Sequence, residues 1–156
     1  MRFEEKLALG RTVDLGSHTF TAEEIKAYAR KYDPQPFHVS EEEARKSVLG
    51  GLCASGWHTA SMWMRHHVLA RPAVEERIRA AGATPIVFGP ASGISALEWL
   101  KPAYAGDTIT FTQTALSYKA IPGRPDWYML QSRCEATNQD GKTIMRFLAS
   151  VMVSDG

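Results

Sequence analysis

The first half of the chain carries apolar residues at helical spacing, and two of the predicted helices have recognisable starts. Residues 21–24 read Thr-Ala-Glu-Glu, a capping box in which a hydroxyl and a glutamate satisfy the free amides of a first turn. The apolar positions that follow recur with a period near 3.6, so we expect a helix that ends before Pro34. A second box at 40–43 predicts a short helix that Gly50-Gly51 would stop.

A third and longer helix is predicted over 57–70, where apolar residues dominate. Its apolar positions form a stripe on one side, so we expect much of this helix to be buried. Pro72 should end it, because proline lacks the N–H that a helix interior needs. A short polar helix is predicted over 73–81. The stripe consists of Trp57, Ala60, Met64 and Val68.

From about residue 85 the pattern changes from helical spacing to partial alternation, in segments rich in β-branched and aromatic residues. These features predict strands, with turn residues between them. Helices in the first half and an antiparallel meander in the second indicate an α+β fold, in which one curved sheet packs on the central 57–70 helix. The predicted strands are 11–20, 85–100, 107–119, 127–138 and 142–153.

Composition narrows the class of protein without pointing to a ligand. A chain of 156 residues fits a single domain, 1–156, and its net charge of +1 offers no argument for nucleic acid or an anionic membrane. Two cysteines without a CxxC pair, no signal-peptide core and no membrane-length apolar run lead us to expect a cytoplasmic protein. The histidines at 58, 66 and 67 lack a metal-ligand spacing, so we expect surface or interface residues and no metal.

The candidate chemistry lies in the loop between the first two helices, where Asp33 and His38 are separated by two prolines. Each proline restricts itself and the residue before it, so the loop should be stiff and irregular. A straight run would hold the two side chains roughly 15 Å apart at ~3.1 Å per residue, so cooperation requires a bend. The plain alternative is a turn followed by a surface histidine.

A second candidate feature is the start of the 57–70 helix. Unpaired N–H groups at a helix N-terminus favour a negative oxygen, and Gly56 lies where the loop becomes helix. The alternative is that Gly56 only eases the turn. Trp57, with the residues at 62–64, could line an acyl pocket or could be ordinary core. Cys53 could be a reactive thiol, although a small buried residue is the better interpretation.

With these pieces in order, the chain resembles the MaoC-like dehydratases, or (R)-specific enoyl-CoA hydratases, of the hot-dog fold superfamily. The resemblance rests on the Asp-x-x-Pro-x-His run at 33–38, the small residues before Gly56 and the apolar helix after it. Segments 97–102, 106–108 and 138–142 match the family's later turns. It implies a hot-dog fold: a curved antiparallel sheet wrapped around a long central helix.

The resemblance also implies a reaction, the reversible addition of water to a trans-2-enoyl thioester to give an (R)-3-hydroxyacyl thioester. Asp33 would act as general base on the water, and His38 would share the water and help to move the proton at C2. The Gly56 amide would bind the thioester oxygen, with Ser55 and Trp57 beside it. Gln35 stands where the common family pattern has Asn and keeps an amide that can orient the loop.

The partners follow from the same resemblance. The substrate would be an acyl thioester of coenzyme A or acyl carrier protein, no separate cofactor is expected, and the chain should form at least a homodimer. Lys101, Lys119 and Arg124 could meet the phosphates of coenzyme A. Two other functions remain open at this stage: a hot-dog acyl thioesterase, and a non-catalytic module that binds acyl thioesters.

Overall fold

A computed structural model describes residues 1–156 and contains five helices and five strands. None of the helices combines the length and the apolar character that crossing a bilayer requires. The helices are α1 (Phe3–Lys6), α2 (Ala22–Tyr32), α3 (Pro36–Val39), α4 (Glu41–Lys46) and α5 (Gly56–Ala80). The strands are β1 (Thr12–Thr19), β2 (Val87–Trp99), β3 (Thr108–Ala120), β4 (Trp127–Thr137) and β5 (Thr143–Ser154).

The five strands form one antiparallel sheet in the order β1-β3-β4-β5-β2. The α+β prediction is confirmed, and every predicted strand is present with bounds shifted by at most two residues. Alternation along β3 and β4 places one set of side chains inside and the other outside, as expected for a sheet with a single covered face. The strands β1 and β2 are the two edges of the sheet.

The sheet and the helices enclose two apolar clusters. The larger cluster lies between the sheet and the first part of α5, where Trp63 packs with Phe111 and Phe147. The smaller cluster lies at the other end of the sheet and includes Ile78 from the last turns of α5 and Leu130 from β4. The two clusters therefore engage α5 over most of its length.

The predicted capping boxes position the short helices. Thr21 accepts a hydrogen bond from the Glu24 amide, and the Glu24 carboxylate accepts one from the Thr21 amide. Ser40 caps α4 in the same way through the Glu43 amide, but α4 ends at Lys46, before the two glycines. The loop at 33–38 is less irregular than expected, because Pro36 begins the single helical turn α3, a position where proline is favoured.

The prediction that Pro72 ends the long helix was wrong. The helix α5 runs without interruption through Pro72, and the separate polar helix over 73–81 is its continuation. Pro72 forfeits the hydrogen bond to the Val68 carbonyl. The burial of Ile78 in the smaller cluster, with Val74 packed against that cluster, gives the last two turns enough apolar contact to remain helical.

The expectation that much of α5 is buried was also wrong. Only His58, Thr59, Trp63 and Ile78 are buried in this 25-residue helix. The predicted stripe faces outward: Trp57 is 54% exposed, and Met64 and Val68 are also exposed. The sheet therefore covers one side of α5, and a second apolar side stays open in the single chain.

We predict that Pro72→Ala stabilises the chain. Pro72 is exposed, so alanine leaves no cavity, and it restores the hydrogen bond to the Val68 carbonyl. Proline in a helix interior costs about 3 kcal/mol, offset by up to about 1 kcal/mol from its stiffening of the unfolded chain. We therefore expect urea denaturation to give a free energy of unfolding about 2 kcal/mol higher. Pro102→Ala, outside any helix, should give no such gain; equal stabilities for Pro72→Ala and the parent chain would contradict the prediction.

Candidate active site

The bend that the loop needs is present, and it brings Asp33 and His38 together. Asp33 is the C-cap of α2, with φ −154° and ψ 69°, and His38 lies on the single turn α3. Asp33 Oδ2 is 3.4 Å from His38 Nε2, and the two side chains are 15% and 8% exposed. The pair is therefore close enough to act on one molecule and open enough to be reached.

The orientation of the His38 ring is determined by its other nitrogen. His38 Nδ1 lies 2.6 Å from the carbonyl oxygen of Cys53. A carbonyl oxygen only accepts, so Nδ1 carries the hydrogen and donates it. In the neutral ring Nε2 then presents a lone pair toward the Asp33 carboxylate. Two acceptors that face each other at this distance suit a water molecule that donates a hydrogen to each.

The Asp33 carboxylate is surrounded by groups that favour its charged form. Burial raises its pKa, but the Ser55 hydroxyl and the Gln35 amide, together with His38 when its ring is protonated, lower it below the ordinary value. Gln35 Nε2 donates to Asp33 Oδ1 at 2.7 Å, which is the loop-orienting contact expected of an amide at this position. The Ser55 Oγ is fully buried, and no group of the chain, Asp33 included, forms a hydrogen bond of full geometry with it. The net direction is downward, so the neighbouring hydrogen bonds outweigh the effect of burial on this carboxyl.

The start of α5 adds two hydrogen-bond donors to the same region. Ser55 is the N-cap residue, but its hydroxyl does not cap the helix. The amides of Gly56 and Trp57 donate to no other group of the chain. Unpaired amides at the N-terminus of a 25-residue helix favour a developing negative charge. The four predicted substrate-binding residues, Gln35, Ser55, Gly56 and Trp57, thus lie around the Asp33–His38 pair or at the adjoining helix start.

Gly56 is required for a reason that the sequence did not reveal. The Trp99 indole lies against it, and a Cβ at position 56 would be 2.4 Å from the indole ring. Trp99 Nε1 also donates to the Gly56 carbonyl at 3.0 Å. The alternative that Gly56 only eases the turn is insufficient, because the residue must be glycine for the ring to pack here. Trp99 lies in the 97–102 motif, which was the available signal for its importance.

An open apolar groove of about 420 Å³ adjoins the start of α5. Trp57 and Met64 line it as exposed residues, so the interpretation of these two as ordinary core was wrong. Trp63 is core as well as lining: it is 3% exposed and donates through Nε1 to the Thr112 carbonyl. The groove continues onto Ile94 of β2, which leaves it open along the edge of the sheet.

The structure also shows the surroundings of two other candidate residues, Cys53 and His58. Cys53 is buried, and burial first and the Asp33 charge second raise its pKa to about 11, which does not favour a reactive thiol. His58 is buried rather than on the surface, stacked on Tyr28 at 4.4 Å, and burial lowers its pKa.

The three basic residues considered for phosphate contacts do not lie together. The 103–105 segment bonds to 52–54, so Lys101 lies at the end of the sheet that is close to the Asp33–His38 pair. Lys119 and Arg124 lie at the β3–β4 turn, at the other end of a 13-residue strand that spans about 40 Å at ~3.3 Å per residue. Within one chain, Lys101 alone is placed near the site.

Comparisons with known proteins show what the chain is similar to. The sequence model of the MaoC-like domain family matches residues 4–120. A MaoC-like dehydratase from Rhodospirillum rubrum is 33% identical, with a TM-score of 0.77 and coverage of 100% of this chain and 99% of that one. No curated protein matches the chain significantly.

Two more distant structures share the fold. The (R)-hydratase from A. caviae is 17% identical, with a TM-score of 0.64 and coverage of 95% of this chain and 96% of that one. The HadBC (3R-hydroxyacyl-ACP dehydratase) complex from Mycobacterium tuberculosis contains a chain that is 20% identical, with a TM-score of 0.60 and coverage of 92% and 96%. The predicted hot-dog fold is thereby confirmed.

We predict that Gly56→Ala destabilises the chain through Trp99. The new methyl group would displace the indole and break its bond to the Gly56 carbonyl. In a Trp99→Ala background the same change should be nearly neutral, because the obstacle is gone. Denaturation of the two single variants and the double variant should give a coupling energy of at least about 1 kcal/mol.

Gly51→Ala is the matched control, since its Cβ would meet Tyr104 at an ordinary 3.6 Å. Additive effects of Gly56→Ala and Trp99→Ala would show that the two residues are not in essential contact.

Proposed function

The chain belongs to the MaoC-like domain family, and from that premise we propose that it is a hydro-lyase that adds water reversibly to trans-2-enoyl thioesters. The product is the (R)-3-hydroxyacyl thioester. The observation that carries the proposal is the Asp33–His38 pair, 3.4 Å apart, with the histidine tautomer determined by the Cys53 carbonyl. Membership of the family supports the class of reaction, and the pair supports the chemistry.

In the proposed reaction one water donates hydrogen bonds to both Asp33 Oδ2 and His38 Nε2. Its oxygen forms a bond to C3 of the enoyl group as one of its hydrogens passes to the pair, and C2 accepts a proton to complete the addition. Asp33 acts as the base and His38 shares the water and relays the proton. A base positioned in this way contributes about 10²–10⁴ in rate. The lowered pKa of Asp33 keeps the carboxylate ionised and therefore able to accept a hydrogen bond from the water.

The second requirement of the proposed reaction is to stabilise the negative charge that develops on the thioester oxygen. As water adds at C3, C2 and the thioester carbonyl acquire enolate character. The unpaired Gly56 amide, at the positive end of α5, is the proposed donor to that oxygen. Donors aimed at a developing oxyanion contribute roughly 3–4 kcal/mol. In our proposal Ser55 and Gln35 hold Asp33 in place, and Trp57 contacts the acyl group.

The proposed substrate is a thioester of coenzyme A or acyl carrier protein, and the addition of water needs no separate cofactor. The groove beside α5 is the proposed site of the acyl group, because its lining is almost entirely apolar and it starts at Trp57. Lys101, on the catalytic side of the sheet, is the proposed contact for a phosphate of the carrier.

We predict that Asp33→Asn lowers hydration of crotonyl-CoA or a longer trans-2-enoyl-CoA by about 10²–10⁴-fold without unfolding the chain. Asparagine keeps the shape of the side chain but cannot accept the proton. Loss of the conjugated thioester absorbance reports hydration, and a thiol reagent in a parallel reaction reports hydrolysis. His38→Gln should be similarly impaired, whereas Asp126→Asn, an exposed residue in the β3–β4 turn, should retain the parent rate.

The parallel reactions separate the competing functions. Thiol release by the parent chain would move the attack to C1 and make the protein a thioesterase. Absence of both hydration and thiol release, with either acyl length and with coenzyme A or acyl carrier protein as the carrier, would favour a binding module. A folded Asp33→Asn variant with the parent rate would remove Asp33 from the mechanism.

We also propose that the chain forms a homodimer through β2. This edge strand is exposed along nearly its whole length, and Ile94 in its centre is 52% exposed. The exposed apolar side of α5 lies beside it, across the groove. Open strand edges and large apolar patches are normally covered in native proteins. Pairing of β2 with its copy would continue the sheet and close the groove.

We predict that light scattering after size exclusion gives twice the 17.3 kDa mass of one chain. Ile94→Lys should shift the protein toward monomer, because it introduces a charge into the proposed interface. Leu116→Lys is the matched control, an exposed apolar residue on β3, and should remain dimeric. A stable monomer of the parent chain would refute the interface.

A further inference from the structure

A second cavity lies far from the Asp33–His38 pair and takes no part in the chemistry above. It has a volume of about 360 Å³ and is bounded by α1, the start of β1, the second half of α5 and the inner side of the sheet. Its floor is apolar, formed by residues such as Leu15, Val74 and Leu130. A volume above 300 Å³ with an apolar floor is typical of small-molecule sites.

Arg71 introduces a half-buried positive charge into this cavity. Its guanidinium lies over the Phe88 ring, 4.4 Å from the ring centre, and its Nη2 is 3.3 Å from His67 Nε2. Its Nε is buried and has no hydrogen-bond partner. No carboxylate of the chain pairs with Arg71 within 4.0 Å, and arginine stays charged in proteins.

The other charged groups of the lining strengthen the positive potential. The lining has four cationic side chains and the single carboxylate of Glu5. Glu5 is already engaged by Arg2, at 2.8 Å from its amide and 3.5 Å from its guanidinium. Lys6 pairs with Asp155 at 2.7 Å. Arg71 therefore has no anion available within the cavity, and the part of its charge that is withdrawn from water has no opposite charge to compensate it.

His67 supports the arginine without competing with it. Burial, and then the charge of Arg71, lower the pKa of His67, so the ring is neutral and can accept a hydrogen bond from the guanidinium. His67 also stacks on Trp63, with ring centres 5.0 Å apart. Since Trp63 lines the groove beside the start of α5 and His67 lines this cavity, the stacked pair lies between the two spaces.

The distance along α5 also keeps the two sites apart. Arg71 lies fifteen positions after Gly56, which is about 22 Å along the helix axis at ~1.5 Å per residue. A ligand of the size of this cavity cannot contact both.

We propose that this cavity binds a carboxylate with a compact apolar body, and that Arg71 is its anchor. The planar guanidinium matches a carboxylate in geometry and charge. The apolar floor favours a ligand with a hydrocarbon tail, and the guanidinium beside that floor suits one carboxylate at the end of the tail. The volume equals that of roughly a dozen liquid waters at about 30 Å³ each, so an acid of about eight carbons is a suitable probe.

The test is titration calorimetry of the folded chain with octanoate and with octylammonium, which has the same tail and the opposite charge. We expect saturable binding of one octanoate per chain and no binding of octylammonium. Arg71→Met, which keeps most of the side-chain bulk, should weaken octanoate binding at least tenfold. Arg65→Met, an exposed arginine on the same helix, should bind octanoate as the parent chain does.

A second variant protects the test if Arg71→Met fails to fold. Ala70 also lines the cavity and is only half-buried, so Ala70→Phe should fill the space and weaken octanoate binding while leaving Arg71 in place. Undetectable binding of octanoate to the parent chain would overturn the proposal. Parent-like binding by a folded Arg71→Met variant or by Ala70→Phe would do so as well, because the ligand would then lie elsewhere or be held without the arginine.

Discussion

The hydrogen bond from His38 Nδ1 to the Cys53 carbonyl connects the parts of the candidate active site that come from different regions of the chain. Cys53 belongs to the segment that leads into α5, and that segment is itself bonded to 103–105 through Ala54 and Leu52. One side chain of the loop is thereby tied to the start of the long helix and, through it, to the sheet. The bond also selects the histidine tautomer, so that Nε2 faces Asp33. This contact therefore helps to hold the loop in a defined position relative to the amides at the start of α5.

The second organising constraint is that α5 has two apolar sides and the sheet covers only one of them. The covered side holds Trp63 and Ile78 and joins the two core clusters. The open side, with Trp57 and Met64, borders the groove beside the start of α5. The proposed acyl site and the proposed dimer contact therefore use the same uncovered surface. This explains why a helix so rich in apolar residues is mostly exposed in one chain: its remaining partners are expected to be a ligand and a second copy.

The partly buried charges of Asp33 and Arg71 differ in whether the chain supplies groups that stabilise them. Asp33 is surrounded by Ser55, Gln35 and His38, which together lower its pKa despite the cost of burial. Its charge is thus stabilised before any substrate arrives, as expected of a preorganised site. Arg71 has an aromatic ring and a neutral histidine beside it but no opposing charge. The contrast between a charge with its partners in place and a charge without one is the physical basis for assigning catalysis to the first site and ligand binding to the second.

The sequence alone determined the strands, the caps of α2 and α4 and the loop with Asp33 and His38, because periodicity, capping and proline restriction are local effects. It also predicted Gly56 as the start of α5. Tertiary structure decided the rest. Pro72 lies within a helix because distant residues bury Ile78, which outweighs the local preference to stop. Gly56 must be glycine because Trp99, 43 positions later, packs against it. The exposed side of α5, the lowered pKa of Asp33 and the unpaired Arg71 likewise depend on which groups the fold brings close. A pattern along the chain records the apolar and polar character of each position, whereas burial and charge stabilisation depend on neighbours that are distant in sequence.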